Sequence, residues 1–150
     1  MTTLFISDAL CDHSYPDLLG ADFSGSDFRY RDFRGADFRR ADLSGSDFRG
    51  GDLRGADFTG ADLRDADFGG ADCRFADFTG ANLTGADLRD AGLNYANFTG
   101  ANLTEANLIG AADLRGANFT EAKFGGSKFG DGIFAGAKFG GVQFGDGVLA

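Results

Sequence analysis

From Ala21 onward one spacing governs the chain: a large apolar residue returns every five positions. It runs Phe23, Phe28, Phe33, Phe38, Leu43, Phe48, Leu53, Phe58 and on to Leu108. After one inserted residue near Gly110–Ala111 it resumes at Leu114 and continues through Phe144. Two residues before nearly every one sits a small residue, usually Ala; between them lies Asp or Asn for most of the chain; two residues after, Gly is commonest. Neither regular element accepts this spacing. A helix would smear the apolar residues around its circumference, and a strand would turn every second repeat to the wrong face. The chain must turn a corner at each repeat and show the same face inward. A square coil does this, with one repeat per side and roughly 20 residues per turn.

The repeats ADFSG, ADLRD, ANLTG and ANFTE resemble the pentapeptide-repeat family, over about residues 18–149. The resemblance implies an all-β fold: a right-handed quadrilateral parallel β-helix (solenoid) of about six coils. The expected organisation is a β-helix over residues 18–150 preceded by a cap at 1–17, where Ser7-Asp8 before Ala9-Leu10 has the form of a helix start. The resemblance also implies a non-enzymatic protein. Some family members mimic duplex DNA and protect type II topoisomerases, and members often dimerise through an apolar C-terminal end.

Residues about 20 apart should stack at about 4.8 Å, giving four internal ladders. One holds Phe38, Phe58, Phe78, Phe98, Phe119 and Phe139, a column suited to stacked rings. Ala must be small to share the interior with these side chains. Cys73 takes the place of a Leu, so it is expected to be a buried structural thiol. Arg31 stands where a small inward residue belongs, so the first coil is expected to distort there, with Arg31 turned outward or into the cap. At the other end Phe134, Phe139, Phe144 and Leu149 line the last coils and are the candidates for a homodimer contact. The alternative is a frayed monomeric end.

Composition excludes several classes of function. Formal net charge is -9, which opposes direct binding of nucleic acid or an anionic membrane. No apolar run approaches the roughly 20 residues of a membrane helix, and the start has no signal-peptide character; a cytoplasmic protein is expected. The single His, His13, and the cysteines Cys11 and Cys73 offer no nucleophile–base set, metal cluster or disulfide framework, so no catalysis and no cofactor is expected. The Gly-Asp-Gly runs at Gly130–Gly132 and Gly145–Gly147 lack the nine-residue period of calcium-binding repeats and read as turns.

Function must therefore sit on the outer walls. Arg34, Arg54 and Arg74 fall on one side and Arg29, Arg49 and Arg89 on the adjacent one, either paired with interleaved Asp or available to a partner. Phe75 and Tyr95 replace the usual corner Gly on the same side one coil apart, beside Arg54 and Arg74. They either form a binding surface or merely cover a corner. The leading reading is a non-catalytic structural or protein-interaction module using Phe75, Tyr95, Arg54, Arg74 and Arg34 on a protein partner. The alternative is an acidic DNA mimic that binds the type II topoisomerase gyrase and inhibits or protects it. Residues 21–90 carry 15 acidic and 10 basic residues. Their net charge density is about one per 3.4 Å of rod, against about one per 1.7 Å for duplex DNA, which ranks mimicry second. Ice binding through a short, interrupted Thr ladder ranks third.

Overall fold

The computed structural model describes residues 18–111, 113–131 and 134–145. The expected cap at 1–17, with Cys11 and His13, lies outside the described residues, as does Leu149. The chain winds as a right-handed quadrilateral parallel β-helix. Its parallel ladder advances by 20 residues per coil: Asp22 bridges Asp42, Asp42 bridges Asp62, Asp62 bridges Asn82 and Asn82 bridges Asn102. The inserted residue near Gly110–Ala111 lengthens one coil, so Asn97 bridges Asn118 and Asn102 bridges Lys123; the 20-residue step then returns with Asn118 and Lys138. Among the described residues only β1 (Asn107–Leu108) and β2 (Lys128–Phe129) are longer than a single bridging residue. A side of the square has no room for more.

The repeat Ala56–Gly60 shows why each residue type is needed, because every one of its N–H groups has an acceptor. Ala56 donates to Leu53 O across the corner at 3.0 Å, Asp57 to Ala36 O at 2.9 Å, Phe58 to Asp77 O at 2.7 Å, and Gly60 to Thr79 O at 2.9 Å. The remaining N–H, on Thr59, faces outward with no backbone acceptor, and Asp57 Oδ1 takes it at 2.9 Å. The same contact recurs at Asp22, Asp42, Asp77, Asn82, Asn97, Asn102 and Asn118. Asp and Asn alternate freely because both have a short side-chain oxygen able to reach the N–H two residues on. The corner Phe58–Ala61 needs a positive φ at its third residue, as in a type II turn, and Gly60 supplies it at 68°.

Inside, the apolar residues from Phe23 to Phe124 and nearly all their Ala partners are buried, and the last coils are progressively more open. Phe38, Phe58, Phe78, Phe98, Phe119 and Phe139 stack with centroids 4.8–5.2 Å apart. From the opposite wall Phe48 and Phe68 meet them edge-on, Phe58 and Phe68 at 90°. Two facing Phe walls fill the width, so the intervening walls carry Leu43, Leu53, Leu63 and Cys73. Of the three Ser at small positions, two donate from their hydroxyls to core carbonyls, Ser46 to Phe23 O at 2.9 Å and Ser127 to Leu103 O at 2.6 Å. The expected distortion at Arg31 is absent from the ladder: Asp32 bridges Asp52, Asp52 N–H donates to Arg31 O at 2.9 Å, and the Arg31 residue is exposed.

Three substitutions test this account by chemical denaturation. Asp77→Ala removes the acceptor of the Thr79 N–H and should cost about 1 kcal/mol, whereas Asp77→Asn keeps the oxygen and should be near neutral. Ala61→Leu overpacks the interior and should cost about 1–3 kcal/mol.

Candidate functional site

With the axis filled, chemistry is confined to walls, corners and ends. Most corners carry Gly, but eight carry another residue at φ near +60°: Tyr30, Arg40, Asp65, Phe75, Asp90, Tyr95, Glu105 and Glu121. At such a φ the side chain leans along the rod over the same corner of the following coil. There the chain supplies Gly: Tyr30 lies over Gly50, Asp65 over Gly85, Asp90 over Gly110, and Tyr95 over Gly116. Phe75 is the exception. It lies over Tyr95, and the two rings stack 5.1 Å apart and 4° from parallel. Phe75 is 62% and Tyr95 55% exposed, so the structure places both at one outer corner, in contact and in water. Tyr30, the most exposed aromatic at 79%, stands at a different corner with no ring beside it among the described residues; corner substitution alone does not build a pair.

The Arg candidates form forks. Arg54 Nε and Nη2 bind Asp52 at 2.8 and 2.6 Å, and Arg74 binds Asp72 in the same way. Arg34 does so with Asp32. Side chains two apart on an extended wall point the same way, so an Arg two residues after the Asp meets it directly. Nine Arg, from Arg29 to Arg115, are paired like this. The Arg29 fork, then its N–H, hold Asp27 down to about 2, well below the usual carboxylate range. Forks push Asp32, Asp37, Asp47, Asp62, Asp72 and Asp113 the same way.

On the next wall the Asp-to-Asn change builds a relay. Asn118 Nδ2 donates to Thr99 Oγ1 at 2.9 Å, Thr99 Oγ1 to Asn97 Oδ1 at 2.6 Å, and Asn97 Nδ2 to Thr79 Oγ1 at 2.9 Å. An amide has the donor that a carboxylate lacks, so the coils become linked by side chains where the sequence becomes neutral. At the C-terminal end Phe129, Phe134, Phe139 and Phe144 line an open cavity of about 240 Å³; Phe139 and Phe144 are 37% and 43% exposed. Lys123, Lys128 and Lys138 occupy the former Asp positions of these coils. Cys73 is buried, and burial pushes its thiol far up, so it stays protonated and inert at neutral pH. Among the described residues there is no group of side chains fit to hold a metal ion, and no helix is long and apolar enough to cross a membrane.

Two profiles described as pentapeptide repeats, of eight and nine copies, match residues 17–55 and 56–94 and residues 93–148. This chain belongs to the pentapeptide-repeat family. Pentapeptide-repeat proteins are generally non-catalytic structural or interaction modules. Among solved structures, the pentapeptide-repeat protein Rfr23 of the cyanobacterium Cyanothece 51142 is 22% identical, with 85% of this chain and 86% of that one covered at a TM-score of 0.53. QnrB1, a plasmid-mediated fluoroquinolone resistance protein, is 25% identical over 89% of this chain and 76% of its own, at a TM-score of 0.46. A pentapeptide-repeat protein of the Arabidopsis thaliana thylakoid lumen is 32% identical over 89% and 68%, at 0.35. No curated protein matches the sequence.

Two expectations follow for this pentapeptide-repeat wall. Gly116→Ala meets both the positive φ of 67° and the Tyr95 ring, whose Cε1 would stand 2.6 Å from the new methyl; Gly136→Ala meets the φ of 73° with its nearest neighbour at 3.9 Å. Gly136→Ala should cost about 1 kcal/mol in thermal denaturation, and Gly116→Ala should cost more and alter the near-ultraviolet circular dichroism of the aromatic pair. The lowered carboxylates set the acid behaviour. The unfolded chain takes up protons near pH 4, whereas folded Asp27 refuses them until about pH 2. Stability should be fully present above pH 4 and fall as the pH is lowered from 4 towards 2, with a shallower fall at high salt.

Proposed function

We propose that this chain is a non-catalytic interaction module, a rigid wall that presents the Phe75–Tyr95 stack to a protein partner in the cytoplasm. One observation carries the reading: two large aromatic rings stand exposed, parallel and in contact at corners of φ 62° and 60°. The left-handed region is costly for bulky residues, and elsewhere in that column the described corners Gly35, Gly55, Gly116 and Gly136 avoid the cost. Strain kept for an exposed aromatic pair fits recognition, since rigid aromatics lose little entropy on binding and dominate interface hot spots. Arg54, Arg74 and Arg34 frame the pair as a neutral, hydrogen-bonding border rather than as isolated charges. Self-association through the Phe-lined C-terminal end is part of the same proposal, because a large apolar mouth favours cover.

The DNA-mimic reading is the second. The Asp columns invite it, but nine forks pair most of the Asp in those columns with Arg. Purified protein at micromolar concentration is expected to leave gyrase supercoiling and its drug sensitivity unchanged; a change would reverse the ranking.

The primary test is affinity capture from the native host. Phe75→Gly with Tyr95→Gly should leave the melting temperature within a few degrees, because relief of φ offsets the lost stacking, and should abolish capture of the specific partner. Capture that survives the double variant would refute the surface. Sedimentation tests the end: the wild type should behave as a dimer, and Phe139→Glu with Phe144→Glu as a monomer of 15.7 kDa.

A further inference from the structure

The Arg forks obey a second regularity. Each forked Arg up to Arg54 also reaches the Asp one coil on: Arg29 to Asp47 at 3.6 Å, Arg49 to Asp67 at 3.5 Å, Arg39 to Asp57 at 3.8 Å, Arg34 to Asp52 and Arg54 to Asp72 both at 3.7 Å. The guanidinium thus lies between two carboxylates. For Arg74 the following position is Gly92, and its fork with Asp72 stands without the second acid. Arg64 and Arg89 also lack it, but there Asn82 and Asn107 still fill the place with a neutral side chain. Among the described residues, only beside Arg74 is the place empty of any side chain.

Backbone geometry does not require that Gly. Gly92 bridges Asp72 like any other ladder residue and its φ is not in the left-handed region. A methyl there would meet Asp72 Oδ1 at 3.6 Å and Arg74 Cγ at 3.8 Å, which are ordinary contacts. The wall tolerates a side chain and leaves a notch instead, whose floor is Gly92 and whose flank is a half-exposed Arg74. The notch also adjoins the aromatic pair: Phe75 follows Arg74, and Tyr95 closes the repeat in which Gly92 is the second residue. Gly92 and Tyr95 are three positions apart, a span of at most about 10 Å.

We propose that this side of the coil binds a protein segment carrying one carboxylate close to an aromatic ring, with the carboxylate over Gly92 against Arg74 and the ring against the Phe75–Tyr95 stack. The incoming acid takes the place that Asp52 and Asp72 hold for the Arg before, so it completes a pattern the wall already displays. A single carboxylate fits better than a run of acids or a phosphate backbone, because the chain carries a net charge of -9 and would repel either. The proposal rests on the aromatic surface being a partner site and adds the chemistry of the partner.

The test uses end-blocked, fluorescently labelled peptides in a Gly/Ser context, with Asp three residues before or three after Phe, read by fluorescence polarisation on the full chain. One of the two orders should bind, and Asp→Asn in that peptide should weaken it about three- to tenfold. Gly92→Asp should fill the notch from within, leave the melting temperature unchanged or higher, weaken the Asp peptide by the same factor and leave the Asn peptide unaffected. Equal binding of Asp and Asn peptides, no response to Gly92→Asp, preference for an oligothymidylate strand, or failure of every peptide to bind would each overturn the proposal. The aromatic surface is judged separately. If Phe75→Gly with Tyr95→Gly removes the binding that Gly92→Asp leaves intact, the surface stands and the carboxylate does not; if neither variant alters binding, both fall.

Discussion

In a square coil, one amide in five faces outward from the wall with no backbone acceptor. The other four are absorbed by the ladder and by the corner. The fifth is taken by the Asp or Asn two residues earlier, and the regularity of the wall depends on that short contact. Its importance shows where it lapses. In the last coils Lys123, Lys128, Lys138 and Gln143 replace the acceptor, and in each case the residue whose N–H loses it is Gly: Gly125, Gly130, Gly140 and Gly145. A residue without a side chain leaves its amide open to water, so in these last coils the two positions change together; at Gly92 the N–H that loses the acceptor belongs to Asn94.

This alters the meaning of the acidity. A column of Asp reads as a charged surface, but the carboxylates are first a backbone device. Asn performs the same task with no charge and gains a donor for the relay to Thr79 and Thr99. Where Asp is kept, Arg two residues on turns it into half of an ion pair. The surface is accordingly less negative in its local field than its composition states, and neutral stretches around Asn94 and Tyr95 interrupt it.

Much of the architecture was legible because a period of five admits few solutions. The ladders, the buried Ala, the inert Cys73, the extra residue near Gly110 and the exposed stacking of Phe75 and Tyr95 all follow from assigning residues to a 20-residue lattice. The Asp cap was hidden by its own regularity: a contact made in nearly every repeat marks no residue as special. The lean of Tyr30 and Tyr95 over Gly50 and Gly116 depends on side-chain direction at a left-handed corner, which spacing alone does not contain. The notch at Gly92 was visible as a missing Asp, but its significance required the reach of Arg34 and Arg54 into the coil beyond.

The one coil of 21 residues has a further consequence. The ladder takes a 21-residue step across it and then resumes its 20-residue step. Rotation about the axis is therefore insulated from local changes in chain length, while height along the axis is counted in whole coils. Gain or loss of one coil between Tyr95 and Phe129 would slide the aromatic corner relative to the C-terminal mouth by about 4.8 Å without turning one against the other. The molecule is a ruler with fixed graduations, and the separation between the aromatic corner and the Phe-lined end is something that gene duplication can set one notch at a time.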